Sequence, residues 1–147
     1  MSVYYLDSSA LVKLFVEEQG TDHMLKLLSI ADNSFALLSL ARVELRSALR
    51  RRARAGDISE TDLRAIDSHL ETLFATRFVF QPVSDQVLEY AIALIEDYPL
   101  RAYDAVQLAG CRVLSRSALN PVFVCSDLAL LDAAKKEGFD VLNPEQV

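Results

Sequence analysis

Four carboxylates stand where this sequence has little else that is polar. Asp7 ends the apolar run Val3-Tyr4-Tyr5-Leu6, and Asp127 follows Val124-Cys125-Ser126. Glu44 sits in Leu40-Ala41-Arg42-Val43-Glu44-Leu45, and Asp104 in Ala102-Tyr103-Asp104-Ala105-Val106. A buried carboxylate is costly unless it is paired or coordinated. Each acid alone has a plain explanation. Asp7 and Asp127 can stabilise the helices that follow them, Glu44 can pair with an arginine one turn away, and Asp104 with Arg101. Four together, two on strand ends and two on helix starts, are poorly explained that way. Oxygen-only donors suit a hard cation, Mg²⁺ or Mn²⁺, rather than zinc. His23 and His69 lie in helical stretches expected to be exposed and complete no ligand spacing. The absence of a glycine-rich phosphate loop argues against a nucleoside-triphosphate enzyme. Carboxylates that hold such a cation beside an arginine-rich helix point to phosphodiester chemistry, with hydroxide generated for in-line attack and the charge on phosphate neutralised.

The elements that must position these acids alternate along the chain. Val3 to Leu6 is a buried strand. Ala10 to Val16 carries Leu11, Val12, Leu14 and Phe15 on one helical face, with Ser8 or Ser9 as N-cap and Gly20 closing the helix. Thr21-Asp22 opens a second helix, and Phe35 to Leu38 is a second strand. A long helix from about Leu40 to Ala55 stops at Gly56. Ser59 and Asp62 resemble a capping box for the helix through Leu63, Ile66, Leu70 and Phe74. Phe78-Val79-Phe80 is strand-like, and Ser84 caps a helix carrying Val87, Leu88, Ala91, Leu94 and Ile95. Ala102 to Ser115 is a helix, Pro121 to Cys125 a strand, Asp127 to Glu137 a helix ended by Gly138, and Asp140-Val141-Leu142 a last strand. Strands alternating with crossover helices predict one α/β domain over residues 1–147: a mostly parallel central sheet of about 4–5 strands with helices on both faces. In such sheets ligands bind beyond the carboxyl ends of the strands, which is where Asp7 and Asp127 fall.

Composition sets the wider bounds. The 147 residues are 52% hydrophobic, enough for a sizeable core, and Gly and Pro number four each, which excludes a collagenous or low-complexity chain. Two cysteines, Cys111 and Cys125, form no disulfide framework and suit a reducing compartment. No apolar run is long enough to cross a membrane and no basic, apolar leader opens the chain, so the expected location is the cytoplasm. The formal net charge of −6 is a weak argument against a phosphate-bearing partner, because six of the 11 arginines crowd between Arg42 and Arg54.

The stretch Tyr5-Leu6-Asp7-Ser8-Ser9-Ala10-Leu11-Val12-Lys13-Leu14 resembles the opening of PIN-domain proteins, in particular VapC-like toxins of type II toxin–antitoxin systems. Arg42-Val43-Glu44-Leu45-Arg46-Ser47-Ala48-Leu49 is similar to the second acidic motif of that family. Leu100 to Ala109 resembles the third, and Phe123-Val124-Cys125-Ser126-Asp127-Leu128-Ala129-Leu130-Leu131 the fourth. The resemblance runs the length of the chain in order. It implies an endoribonuclease dependent on Mg²⁺ or Mn²⁺, inhibited by a cognate antitoxin and frequently homodimeric. Asp7, Glu44, Asp104 and Asp127 are then the catalytic, metal-binding acids, and Ser8 and Ser126 the supporting hydroxyls. Cys125 departs from the Thr or Ser common in relatives. Asp132 lies on a different helical face from Asp127, which favours Asp127.

Arg46, Arg50 and Arg54 recur four residues apart on one helical face, and Arg42 begins the row. Only Glu44 is acidic between Arg42 and Arg54, so local ion pairs should be scarce and the row free to contact RNA phosphates. The helices from Leu11 to Phe15 and from Leu40 to Leu49 are dense in apolar residues, and a groove between them is expected to seat an amphipathic antitoxin segment. Other classes remain open. A phosphate-accepting α/β switch domain would use the acidic pocket for Mg²⁺ but wants an Asp where the strand ends Phe80-Gln81-Pro82. An aspartyl-nucleophile phosphatase wants an Asp where Ser9 stands. A non-catalytic protein-binding domain would keep the acids for stability alone.

Overall fold

The computed structural model describes residues 2–117 and 120–146. Five strands, β1 (Val3–Leu6), β2 (Ser34–Leu38), β3 (Phe78–Gln81), β4 (Val122–Val124) and β5 (Asp140–Leu142), form one sheet in the order β3-β2-β1-β4-β5. Every pairing is parallel. Among the described residues seven helices cover it: α1 (Ser8–Val12), α2 (Thr21–Ser29), α3 (Ala41–Arg54), α4 (Glu60–Thr76), α5 (Asp85–Asp97), α6 (Ala102–Ser115) and α7 (Leu128–Lys136).

The strand period of two assigns each residue to one of two cores. Tyr5, Ala36, Leu38, Phe123 and Cys125 face one side, where Val87 and Leu94 of α5, Leu108 of α6 and Leu130 of α7 complete the cluster. Leu6, Phe35, Leu37 and Val124 face the other, packed by Leu11, Met24, Leu45, Leu49 and Leu70 from α1 to α4. Register aligns the layers: Tyr5 lies opposite both Ala36 and Phe123, and its ring stacks on Phe123 at 5.9 Å. Burial on both faces is why the strands read as continuous apolar runs rather than alternating ones.

The chain leaves β1 towards β2 and β3, then returns to the other side of β1 for β4 and β5. The order of strands therefore reverses between β1 and β4, and this switch point opens a crevice at their carboxyl ends. Both strands lead directly to an acid, Asp7 and Asp127.

The caps largely agree with the sequence. Ser59 Oγ accepts from the Asp62 N–H, Ser84 Oγ from Val87 N–H, and Gly56 and Gly138 follow the ends of α3 and α7. The first helix differs. Its N-cap is Asp7, not Ser8 or Ser9, and it stops at Val12, with Lys13 to Val16 continuing as turns. Gly20 closes nothing there. At φ +93° it is the N-cap of α2, in a conformation L side chains rarely adopt, and a Cβ would approach Lys13 Cδ and the Pro144 backbone at 3.1 Å.

Lys13 explains the early stop. Its ammonium is buried and reaches Glu18 Oε1 at 2.9 Å and Glu145 Oε2 at 3.0 Å, tying the turn after α1 to the residues beyond β5. The two carboxylates hold the Lys13 ammonium above its ordinary pKa against the opposing effect of burial, and Lys13 in turn lowers that of Glu145. A depressed carboxylate contributes stability above its unfolded pKa and loses it as pH falls through the folded one. Lys13→Met keeps the stem and removes the charge. It should lower stability by about 1 kcal/mol, the scale of a partly exposed pair, read as a lower urea midpoint at unchanged slope.

Candidate active site

Asp7 leaves β1 at the crevice and turns inward. It is 5% exposed, and its Oδ1 accepts from Ser9 Oγ at 2.7 Å and from the Ala10 N–H at 3.0 Å. Ser9 Oγ also accepts from the Ser126 N–H at 3.2 Å, so one hydroxyl joins the end of β1 to the loop after β4. Across that loop Asp127 caps α7, its Oδ1 accepting from the Leu130 N–H at 3.0 Å. Cys125 Sγ accepts from the Asp127 N–H at 3.2 Å and so braces the turn. Burial, then the Asp7 charge, drive the Cys125 thiol far up from its ordinary pKa, so it stays protonated.

Asp104 enters from the first turn of α6 and Glu44 from the first turn of α3, both half-buried. The acids sense one another. Burial raises the Asp7 carboxyl above its ordinary value, Ser9 and Ala10 resist, and the Asp104 charge adds to the rise. Burial raises Asp104 too, reinforced by the Asp127 charge and offset by Arg101. The Arg101–Asp104 pair expected from sequence exists at 3.7 Å, but the Arg101 side chain is 87% exposed and screens little. Glu44 joins through Tyr103, whose phenol is raised chiefly by burial, with the charges of Glu44 and Asp7 adding to it. Asp104 thus feels the charges of the two acids at the strand ends, and Glu44 is linked to them only through Tyr103.

Among the described residues no three His, Cys, Asp or Glu side chains close on one point as cation ligands. Asp7 and Asp127 have an oxygen each on a helix N-terminus instead. The donor chemistry nonetheless fits a hard cation: oxygen only, partly desolvated, and mutually repelling at neutral pH, which a positive charge between them would relieve. The Ser126 hydroxyl adds a buried oxygen that makes no well-formed hydrogen bond and lies near enough to Glu145 to help lower its carboxyl.

Of the two hydroxyls expected in support, Ser126 lies beside Glu145 and Ser8 turns away from Asp7. Ser8 Oγ meets the Tyr103 hydroxyl at 2.9 Å, and Gln107 Nε2 reaches Tyr103 at 2.8 Å and Ser8 at 3.2 Å. The hydroxyl that touches Asp7 is Ser9. A capping acid commonly meets polar groups two or three residues on, a signal available in Asp7-Ser8-Ser9. Tyr103 and Gln107 also went unnoticed; two polar residues one turn apart around Asp104 on an apolar helix are the sign. Asp132 is exposed and bound to Lys136 at 2.8 Å, which keeps it out of the crevice. His69 lies exposed against the Phe15 ring. His23, expected to be exposed, is half-buried with Nδ1 enclosed, because α2 lies against the sheet rather than free.

Two expectations about α3 need correcting. Its arginines are not short of partners. Arg50 pairs with Asp67 at 2.8 Å, Arg46 with Asp67 at 3.3 Å and with Glu71, and Arg52 with Glu18 at 2.8 Å. The acids come from α4 and the turn after α1, which local spacing does not register. Arg54 and Arg42 remain exposed, Arg42 resting on the Phe80 ring at 4.8 Å. The groove expected between the Leu11 to Phe15 segment and Leu40 to Leu49 is filled, because Leu11, Leu14, Leu45 and Leu49 pack into one core, and the opening beside that segment, about 440 Å³, is lined further on by Phe15, Val16, Arg52, Ile58 and Ile66. An opening of about 590 Å³ lies instead on the outer side of α3, lined by Arg42, Val43, Arg46, Glu71, Phe74 and Phe80.

The PIN domain family profile matches residues 4–119. The chain belongs to the PIN domain family. The domain is similar in fold to VapBC2 from Rickettsia felis bound to a DNA fragment from their promoter, with TM-score 0.66 and 15% identity over 96% of this chain and 98% of that one. PAE2754 from Pyrobaculum aerophilum matches with TM-score 0.64 and 27% identity over 98% of this chain and 85% of that one. A toxin–antitoxin complex from Klebsiella pneumoniae matches with TM-score 0.59 and 15% identity over 98% and 99%. Among curated proteins none matches the sequence. PIN domains are nucleases as a rule and use divalent cations. Among the described residues no helix of this one is long and apolar enough to cross a membrane.

Proposed function

We propose that this PIN domain is an endoribonuclease dependent on Mg²⁺ or Mn²⁺ and the toxin of a type II toxin–antitoxin pair. The reading is supported by Asp7 and Asp127 at the carboxyl ends of β1 and β4, beside the switch point of a parallel sheet, with Asp104 near enough to feel both charges and Glu44 on the first turn of α3. Fold-level likeness to a toxin–antitoxin complex supports the second half.

A bound divalent cation supplies Lewis acidity for phosphodiester hydrolysis, activating water and neutralising charge on phosphate. Asp7, Glu44, Asp104 and Asp127 would hold it, with the Ser126 hydroxyl as a further oxygen nearby. Ser9 fixes the Asp7 rotamer and Cys125 fixes the turn that presents Asp127. The exposed guanidiniums of Arg42 and Arg54 flank the approach along α3, while Arg46 and Arg50 contact RNA phosphates only when their pairs with Asp67 and Glu71 open. On this reading the protein works in the cytoplasm as a homodimer, held inactive by its antitoxin until the latter is lost.

Incubating the purified chain with a panel of transfer and ribosomal RNAs tests the activity: discrete cleavage should need Mg²⁺ or Mn²⁺ and stop in chelator. Expression of the chain alone should arrest growth, and Asp7→Ala should relieve the arrest. Harmless overexpression of the soluble, folded parent in its own host, without any antitoxin, would count directly against the toxin reading.

A further inference from the structure

Three polar groups next to the acids form a closed triangle. Ser8 Oγ, the Tyr103 hydroxyl and Gln107 Nε2 lie 2.9, 2.8 and 3.2 Å apart in the pairs Ser8–Tyr103, Gln107–Tyr103 and Gln107–Ser8. Ser8 directly follows Asp7, and Tyr103 directly precedes Asp104 on α6, with Gln107 one turn further along. The triangle therefore clamps the start of α1 to the start of α6 at the points from which two of the acids project.

Counting protons shows its direction. With Nε2 inward, each amide N–H goes to one hydroxyl, and a third proton lies between the hydroxyls, so all three contacts are satisfied. With the amide turned over, both hydroxyls would donate to Oε1, and the 2.9 Å contact between them would hold no proton. Ser8 and Tyr103 own two hydroxyl protons and the triangle uses one. The other must leave it, whichever oxygen carries it. Neither hydroxyl meets a carboxylate at hydrogen-bond distance among the described residues, so that proton is left for solvent or a ligand.

The arrangement is also expensive for a position that merely fills space. Gln107 is 1% exposed and its Oε1 is buried without a partner, a desolvation cost that the two Nε2 contacts to Ser8 and Tyr103 must offset.

We propose that Ser8, Tyr103 and Gln107 are positioning residues of the active site, which hold the start of α6 against the start of α1, so that the acids projecting from those two points keep the spacing a divalent cation requires. The proposal rests on the cation-dependent nuclease reading and adds to it the groups that aim its carboxylates.

Mn²⁺ alone is the probe, titrated into the full chain and followed by the paramagnetic resonance of the free ion, with the melting temperature of the metal-free protein measured in parallel. Gln107→Met and Tyr103→Phe should each weaken Mn²⁺ binding by about tenfold, the usual scale for groups that orient metal ligands. Ser8→Ala should do the same, and Ser8→Thr, which keeps the hydroxyl, should restore the parent affinity. Metal-free Gln107→Met should melt close to the parent, since removing the buried unpartnered carbonyl offsets the two amide contacts it loses. A purely structural triangle gives the opposite pattern, a lower melting temperature and unchanged affinity in the folded protein, and that result overturns the proposal. A parent chain that binds no Mn²⁺ overturns the cation-dependent reading itself, and the positioning role falls with it.

Discussion

Asp7→Asn and Asp104→Asn should each cut RNA cleavage by about 100-fold or more, the scale on which removing one charge-stabilising group acts, and each metal-free variant should melt above the metal-free parent. The two effects have one cause. The crevice carboxylates are kept partly out of water and near one another's charge, which raises the pKa of both Asp7 and Asp104. Such charge is useful when a cation arrives and unfavourable when none does. Asparagine keeps the oxygen that accepts from Ser9 and from the Ala10 N–H, and it caps helices as well as aspartate, so Asp7→Asn removes the charge without removing the cap. Mg²⁺ or Mn²⁺ should raise the parent melting temperature as ln(1 + [L]/Kd) and leave both variants nearly unmoved. A full cation-induced shift in both variants would sink the assignment.

The same shifts set the sign of the pH dependence. A folded carboxyl raised above its ordinary value of 3.8 binds its proton more tightly than the unfolded chain does. Between that value and the raised ones the native state carries more protons, so stability contributed by this pair falls as pH rises through the window and returns on acidification. The metal-free parent in chelator should therefore lose stability across that interval relative to Asp7→Asn, and the two should converge at its acid end. Cation binding runs the other way, because it needs the deprotonated acids, and the melting shift should shrink as pH falls.

Local pattern was enough to locate the elements, and side-chain chemistry to single out the candidate acids. Parallel strands buried on both faces announce themselves as Val3 to Leu6 and Phe35 to Leu38 do, and a carboxylate in an apolar helix start, as at Glu44 and Asp104, stands out because burying it has to be compensated. What was illegible depended on distance along the chain. Arg50 and Asp67 are 17 residues apart and Arg46 and Glu71 are 25, so no helical spacing links them. The Leu11 to Phe15 segment and α3 look apolar for the same reason whether they flank an open groove or bury each other; here they bury each other. The choice of Ser9 over Ser8 turned on where the first helix begins, a boundary that a single residue decides. Helix lengths follow the same rule: α1 stops at Val12 because Lys13 is drawn to Glu145, at the far end of the chain.

Gly110→Ala should destabilise the domain by about 2 kcal/mol, against the ordinary sign of that change in a helix interior. Gly110 is buried in α6, where alanine would gain about 1 kcal/mol from helix propensity. A Cβ there would stand 2.4 Å from the Tyr5 hydroxyl and 2.8 Å from Leu38 Cδ1, closer than such atoms can approach. Neither neighbour has somewhere to go. Tyr5 is fully buried in the central strand with its ring stacked on Phe123, and Leu38 is equally enclosed. Overpacking a rigid core costs about 1–3 kcal/mol, and contacts this short belong at or beyond the upper end, so the clash outweighs the propensity gain. The Tyr5 hydroxyl suggests the control. It is buried and unpartnered, so Tyr5→Phe alone should be neutral or stabilising. It also removes the atom that Gly110→Ala meets first. In the double variant the loss should shrink to about 1 kcal/mol or less, a coupling expected only for residues in direct contact. Since α6 carries Tyr103, Asp104 and Gln107 on the turns before Gly110, the single variant should also weaken Mn²⁺ binding, and the double variant should recover it. Additive stabilities in this cycle would show that α6 shifts freely over the sheet and that Gly110 does not set its distance.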